Sequence, residues 1–191
     1  MCFSLRVQLV ATVELLALWI LWALPYVFRA PKIQKRKSIA VFGPTTLGLM
    51  LEAAGVVIVW HFRVPGGIRT DLGALIAAPV VGAMAVLLMW TAIPNLGRQF
   101  RIYAGLYEDH ELVRTGPYAV VRHPIYASVL ALTLSTGILL TLWPWLIAAL
   151  AVSVAGTEVR LRSEEKLLAA RFGTQFSAYK SRVPAYLPFL R

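Results

Sequence analysis

Four apolar runs limit what this chain can fold into. Val7 to Phe28 spans 22 residues with one charge, Glu14, and Ile39 to Trp60 spans 22 with one, Glu52. Leu72 to Ile93 spans 22 with none, and Ile125 to Thr157 spans 33 with none. About 20 apolar residues in a helix cross ~30 Å of hydrocarbon, so the first three runs suit one crossing each. The fourth would make a straight helix about 50 Å long, too long for a single passage. Trp143-Pro144-Trp145 sits near its middle. Proline interrupts the helical ladder and tryptophan favours the membrane interface, so this run reads as a hairpin of two short helices. The expected fold is an all-α integral membrane protein with five transmembrane helices. At 59% hydrophobic and 15% charged residues, the composition excludes a disordered chain and falls well below the roughly one-quarter charge of soluble domains. The first run is too long for a cleaved signal and lacks a small-residue cleavage site. The single cysteine, Cys2, forbids an internal disulfide.

Orientation follows from the cations. Arg29, Lys32, Lys35, Arg36 and Lys37 follow the first run, Arg98, Arg101, Arg114 and Arg122 lie between the third and fourth, and seven more follow the last. With five crossings and the N-terminus outside, these 16 are cytoplasmic, and only Arg6, Arg63 and Arg69 lie outside. The net charge of +10 is thereby explained by topology and anionic lipid headgroups, and nucleic acid is not an expected partner.

The chain divides into residues 1–94, three N-terminal transmembrane helices, and residues 95–191. The second part holds a polar segment 95–124, the hairpin 125–157 and a polar C-terminal tract from 158. Pro65-Gly66-Gly67 marks an outer turn. From Glu158 to about Ala170 there is no Gly or Pro, and Leu161, Leu167, Leu168 and Phe172 recur among charges, which reads as an amphipathic helix with Gly173 as its C-cap. It is either a separate surface helix or an extension of the fifth transmembrane helix. Arg160 and Glu164 are four apart and share a face; the bland reading is a surface ion pair worth ~0.3–0.5 kcal/mol. In the central segment Gly116-Pro117 makes a turn. Pro124 suits the first turn of the fourth helix, which puts His123 at its N-cap, where exposed N–H groups favour anions. Taken alone, His123 is a capping or interfacial residue, Tyr118 and Tyr126 are interfacial tyrosines, and His110 is a solvated loop histidine. No histidine pair has zincin spacing and there is no Cys/His cluster, so a metal site is not expected.

Taken in order, these residues form a recognisable set. His110-Glu111-Leu112-Val113, Thr115-Gly116-Pro117-Tyr118 and Arg122-His123-Pro124-Ile125-Tyr126 come before the hairpin. Arg160, Glu164-Glu165, Phe172-Gly173, Tyr179, Val183-Pro184 and Leu187-Pro188 come after it. The set resembles the isoprenylcysteine carboxyl methyltransferase family, within the wider group of membrane phospholipid methyltransferases. The likeness covers roughly residues 94–190. It implies a membrane O-methyltransferase that uses S-adenosyl-L-methionine in a cytosolic pocket formed by the 95–124 segment and the C-terminal helix. Carried across, His110, Glu111, Leu112, Val113 and Tyr118 match cofactor-lining positions. His123, Pro124, Ile125 and Tyr126 match the segment holding the cofactor at the head of the fourth helix, and Arg160 and Glu164 match the arginine and glutamate after the hairpin. Where eukaryotic members carry a cofactor-contacting glutamine, seven residues before the first histidine, this chain has Tyr103.

The chemistry of the residues agrees with that role. A carboxylate wants N–H donors or an arginine, carboxylates such as Glu164 suit an ammonium or ribose hydroxyls, and Leu112, Val113 and Tyr118 suit adenine. Methyl transfer is an in-line displacement accelerated by positioning. The first acceptor implied is the carboxylate of a prenylated cysteine, which is ionised at pH 7 (reference pKa about 3.5) and needs no base. Arg160, with Arg122 second, would orient it. An amine or thiol acceptor would instead call on His123 or Glu165. A phospholipid headgroup, a small thiol, or a nicotinamide-dependent membrane reductase on a similar scaffold are the alternatives. Glu14 and Glu52 are the intramembrane carboxylates; each either lines a substrate tunnel or makes an interhelical hydrogen bond.

Overall fold

The computed structural model describes residues 2–30 and 38–187, with side chains from residue 5 and, after the gap, from residue 41. Cys2, Lys32, Lys35, Arg36, Lys37 and Arg191 fall outside the described side chains. The protein is all-α apart from one short strand pair. Helix α1 runs Cys2–Phe28, β1 Ser38–Ala40, α2 Gly43–His61, α3 Leu72–Leu96, β2 Gly105–Tyr107, α4 Pro124–Leu140 and α5 Trp143–Arg182. Helices α1, α2, α3 and α5 are long and apolar enough to cross a membrane, whereas α4, at 17 residues, is a shorter apolar helix. Large aliphatic side chains such as Val13, Ile20, Val80, Met84 and Ile147 stand exposed on their outer faces. Soluble proteins rarely leave so much contiguous apolar surface in water, so these faces are lipid-facing.

Polar loops gather at two opposite ends. At one, the α2–α3 turn meets the α4–α5 turn: Val64 N donates to Leu140 O (2.9 Å), Arg69 N to Leu139 O (2.8 Å), and Thr141 Oγ1 to Phe62 O (2.5 Å). Gly66 and Gly67 take φ of +87° and +89°, conformations that favour glycine and confirm the turn. Asp71 caps α3 by accepting from Ala74 N at 3.0 Å. At the other end β1 pairs antiparallel with β2, Ile39 opposite Leu106, so the segment after α1 is fastened to the segment after α3.

Two expectations need correction, and one open alternative is decided. Residues 39–42 do not belong to the second helix, because 38–40 pair as a strand and α2 begins only at Gly43, with Pro44 in its first turn. The hairpin is not two short helices broken at Trp143-Pro144-Trp145. The break is at Thr141–Leu142, and Pro144 sits in the first turn of α5, where its missing N–H is harmless. Beyond it α5 continues without interruption past Thr157, so the C-terminal tract is an extension of that helix. Its helical geometry fails only at Gly173 (φ +48°, ψ −118°). A second stretch then runs to Arg182, and the chain from 174 to 187 forms a strap that turns back over the α4 N-terminus.

Helices α2 and α5 pack with almost no side chain between them. A Cβ on Gly156 would lie 2.5 Å from Gly48 O, and one on Gly55 would lie 2.0 Å from Ser153 Oγ. Small residues on both helices allow this approach, and it sets Glu52 on α2 against Thr157 and Arg160 on α5.

Candidate active site

The site forms where the α4 N-terminus, the extension of α5 and the segment before α4 converge. His123 is the N-cap of α4 in a non-helical conformation (φ −128°, ψ 65°) with Pro124 at the first helical position; the residue before a proline is held away from the helical region. Its side chain makes no capping bond. The imidazole instead lies between two carboxylates of α5, with Nδ1 3.6 Å from Glu164 Oε2 and Nε2 3.3 Å from Glu165 Oε1. Burial alone would lower its pKa, but hydrogen bonds to Glu164 and Glu165 outweigh this and hold it above the usual histidine value. The ring is stacked on Tyr126 at 5.3 Å. Tyr126 donates to Glu164 Oε2 at 2.8 Å, and the Arg160 guanidinium sits 4.5 Å from the centre of the same ring.

The expected i,i+4 pairing of Arg160 with Glu164 does not form. Arg160 reaches across to Glu52 Oε2 (2.5 Å) and to Ile102 O (3.2 Å), while Thr157 Oγ1 donates to Glu52 Oε1 at 3.0 Å. The close α2–α5 contact makes the cross-helix partner nearer and more buried than the one on the same helix. Glu52 is thus an interhelical hydrogen-bond acceptor that also lines a cavity.

The strap closes this region from the other side. Arg122 Nε donates to Glu165 Oε1 at 2.9 Å, and its Nη1 donates to Lys180 O and Val183 O. Lys180 pairs with Glu165. Arg122 N and His123 N donate to Pro184 O and Ala185 O, each at 2.8 Å, and Tyr179 OH donates to Tyr118 O at 2.6 Å.

Two adjoining cavities open from this cluster and share Leu96, Tyr118, Arg122, His123 and Glu164 in their walls. The larger, about 460 Å³, extends between α1, α2 and α4, and its size falls within the ~300–1,000 Å³ of small-molecule sites. Aromatic side chains Trp19, Trp22, Tyr26, Phe100 and Tyr126 wall it, together with Val56, Ile125 and Val129, and Glu52, Arg101 and Arg160 stand at its polar end. The smaller, about 40 Å³, is lined by His110, Glu111, Leu112 and Val113 from one side and by Leu168, Phe176 and Tyr179 from the other. Burial pushes the His110 pKa down to about 4, with Glu164 opposing and Arg101 and Arg171 adding to the shift, so this ring is neutral and is not the solvated histidine it would be alone. Burial likewise raises Tyr118 well above the ordinary tyrosine value. His110 Nδ1, Tyr118 OH and Arg160 Nε are buried with no hydrogen-bond partner. Such atoms are costly to leave unpaired; His110 lines the smaller cavity, Arg160 the larger and Tyr118 both, so each cavity offers unpaired polar atoms to a ligand.

Of the sequence-derived residues, His110, Glu111, Leu112, Val113, Tyr118, His123, Ile125, Tyr126, Arg160 and Glu164 all reach one or both cavities. Pro124 reaches neither and serves to start α4. Tyr103 turns away, half exposed, against Phe42 at 5.5 Å. Sequence reasoning missed Trp19, Trp22 and Tyr26, whose spacing of three and four places them on one helix face, and that spacing is the signal that could have found them. It also missed the strap residues Phe176 and Tyr179 as cavity walls. Among the described residues no group of three His, Cys, Asp or Glu side chains could hold a metal ion.

A bundle of apolar helices of membrane-spanning length, with a polar cluster beside an aromatic-walled cavity, defines the chain as a multi-pass membrane protein. Residues 76–170 match the family described as isoprenylcysteine carboxyl methyltransferase (ICMT), and the chain belongs to that family. It is 35% identical over 106 residues to protein-S-isoprenylcysteine O-methyltransferase B of Arabidopsis thaliana, covering 54% of each chain. It is 29% identical over 137 residues to the protein-S-isoprenylcysteine O-methyltransferase of Xenopus laevis, covering 69% of this chain and 48% of that one. It is also 34% identical over 95 residues to the cobalt-zinc-cadmium resistance protein CzcN of Cupriavidus metallidurans, covering 47% and 43%. The chain spans about half the length of the curated relatives it matches.

Proposed function

We propose that this protein is a membrane methyltransferase that moves a methyl group from S-adenosyl-L-methionine to a lipophilic acceptor, in the first place the carboxylate of a prenylated cysteine. The observation that carries this reading is the junction of the two cavities. There, His123 and Glu164 lie 3.6 Å apart between a small polar chamber and a larger one walled by the faces of membrane helices. A water-soluble donor and a lipid-borne acceptor need such a meeting point.

In this reading all five helices cross the bilayer, with the N-terminus outside and the cluster at the cytoplasmic face. Residues 1–94 shape the acceptor chamber and residues 95–191 form the catalytic region. Segregation of the described cations supports the sidedness, since Arg98, Arg101, Arg114, Arg122 and the α5 extension share one end while Arg63 and Arg69 share the other.

His110, Leu112, Val113 and Tyr118 would hold the nucleoside. Glu164, on α5 beside the α4 N-terminus, would meet its ammonium or ribose hydroxyls, flanked by His123, Ile125 and Tyr126, with Glu111 at the rim. When bound, the cofactor supplies a methyl group already activated by a positive sulfur. The chain's own contribution is positioning. Arg160, its Nη atoms fixed by Glu52 and Ile102 O, keeps Nε for the acceptor carboxylate and orients it. A carboxylate is ionised at pH 7, so no group in the site has to remove a proton. The strap, fastened to Arg122 and Tyr118, keeps water from the reacting atoms.

Incubation of purified protein with methyl-tritiated S-adenosylmethionine, native lipid extract and an S-prenylated cysteine tests this. A base-labile labelled ester is expected. Absence of labelled product, together with no thermal stabilisation by S-adenosylhomocysteine, would overturn it.

A further inference from the structure

Four basic side chains stand in the wall of the larger cavity: Arg101, Arg122, His123 and Arg160. Three of them are matched by carboxylates. Arg160 pairs with Glu52, Arg122 pairs with Glu165, and His123 lies between Glu164 and Glu165. Arg101 has no ion pair among the described residues. Its guanidinium lies 4.8 Å from the centre of the Tyr107 ring on β2, which supports one face of the fork, and its Nη1 is buried without an acceptor. Arg101 is therefore the one cation in this wall, among the described residues, with no carboxylate against it, and it lines the same cavity as the unpartnered Nε of Arg160.

We propose that Arg101 is a second anchor for the acceptor and makes this site select an anionic headgroup, a carboxylate in preference to a neutral amide or ester. The assignment rests on the methyltransferase reading for the word acceptor, and on the structure for the charge. Arg101 lines the chamber walled by Trp19, Trp22 and Val56 and does not line the smaller chamber of His110, Leu112 and Val113. A ligand group that satisfies it therefore belongs to a molecule whose apolar part lies between α1 and α2. A guanidinium offers five donors in a fixed fork that matches a carboxylate. Neither wall carboxylate competes, since Glu52 already accepts from Thr157 and Arg160 and Glu164 from Tyr126.

The test uses the whole chain in nanodiscs of neutral phosphatidylcholine, as wild type, Arg101→Gln and Arg101→Lys. Calorimetry measures binding of N-acetyl-S-farnesylcysteine, of its carboxamide, and separately of S-adenosylhomocysteine. Wild type is expected to bind the acid about tenfold more tightly than the amide, the weight of one charge-assisted hydrogen bond. Arg101→Gln should lose most of that preference and keep only what Arg160 confers, Arg101→Lys should fall between, and the nucleoside should bind all three proteins alike. Equal binding of acid and amide by wild type overturns the proposal, as does a preference of undiminished size in Arg101→Gln. A loss of nucleoside affinity matching the loss of acid affinity overturns it too, by giving Arg101 to the cofactor. If Arg101→Gln does not fold, an unchanged ratio in Arg101→Lys is sufficient refutation. Failure of wild type to bind S-adenosylhomocysteine would overturn the methyltransferase reading instead, and leaves the acid-to-amide ratio standing as the measure of Arg101.

Discussion

Replacing Glu52 tests whether the α2–α5 contact is organised around a buried charge pair. The two side chains are 7% and 6% exposed and their charged atoms lie 2.5 Å apart. Breaking such a pair by removing one partner costs ~3–5 kcal/mol, because the other charge is left buried and uncompensated. Glu52→Gln keeps the shape and keeps an acceptor for Thr157, so its cost should sit at the lower end, about 3 kcal/mol. Arg160→Met strands the carboxylate and also removes the cation–π contact with Tyr126 at 4.5 Å, a further ~1 kcal/mol, which places it nearer 5 kcal/mol. The double variant leaves a neutral amide beside an apolar chain. Its cost should return to about 1–2 kcal/mol, as buried pairs exchanged together for uncharged groups often show. The coupling between the sites is then several kcal/mol. The assay is SDS-induced unfolding of the four proteins in mixed micelles, followed by far-UV circular dichroism. If the two single costs add to the double within ~0.5 kcal/mol, the residues do not sense each other and the argument for the contact fails.

Two histidines give opposite pH signatures. His123 has a pKa raised above 6.5 in the fold, so its contribution to stability is complete below 6.5 and is lost as pH rises through the folded value. The alkaline limb of wild-type unfolding should fall more steeply than that of His123→Gln, and coincident limbs would refute this. His110 is lowered from 6.5 to about 4, so its contribution is present above 6.5 and is lost as pH falls toward 4. His110→Asn should flatten that acid limb, read from the unfolding midpoint against pH. Gly173→Ala adds a Cβ that meets nothing within 4 Å but forces alanine into φ +48°, costing ~1–2 kcal/mol. The loss should be local, seen as faster proteolysis after Gly173 and weaker S-adenosylhomocysteine binding with α1 to α4 intact; unchanged cleavage would refute it.

The helices were legible because apolar runs of membrane length have few alternatives. The Gly-Pro-Tyr and Arg-His-Pro-x-Tyr segments were legible because turn chemistry and helix starts are local. What the sequence hid is set by distance along the chain. Glu52 and Arg160 are 108 residues apart, and nothing near either one shows that Gly48, Gly55 and Gly156 let two backbones approach closely enough for them to meet. Spacing alone favoured Glu164, which the fold assigns to Tyr126 and His123 instead. The strand 38–40 was hidden for the same reason, since Ile39 and Ala40 beside a helical run look helical until a partner near residue 106 is in place.

The aromatic face of α1 has a practical consequence. Trp19 and Trp22 border the larger chamber, and each indole N–H is donated to a hydroxyl on α4, to Thr136 at 3.1 Å and Ser128 at 3.2 Å. Two of the six tryptophans are therefore built-in fluorophores side by side in the chamber wall, their rings 6.1 Å apart. Their emission should report chain entry without a label, and a quencher tethered to that tail would time its passage from the bilayer.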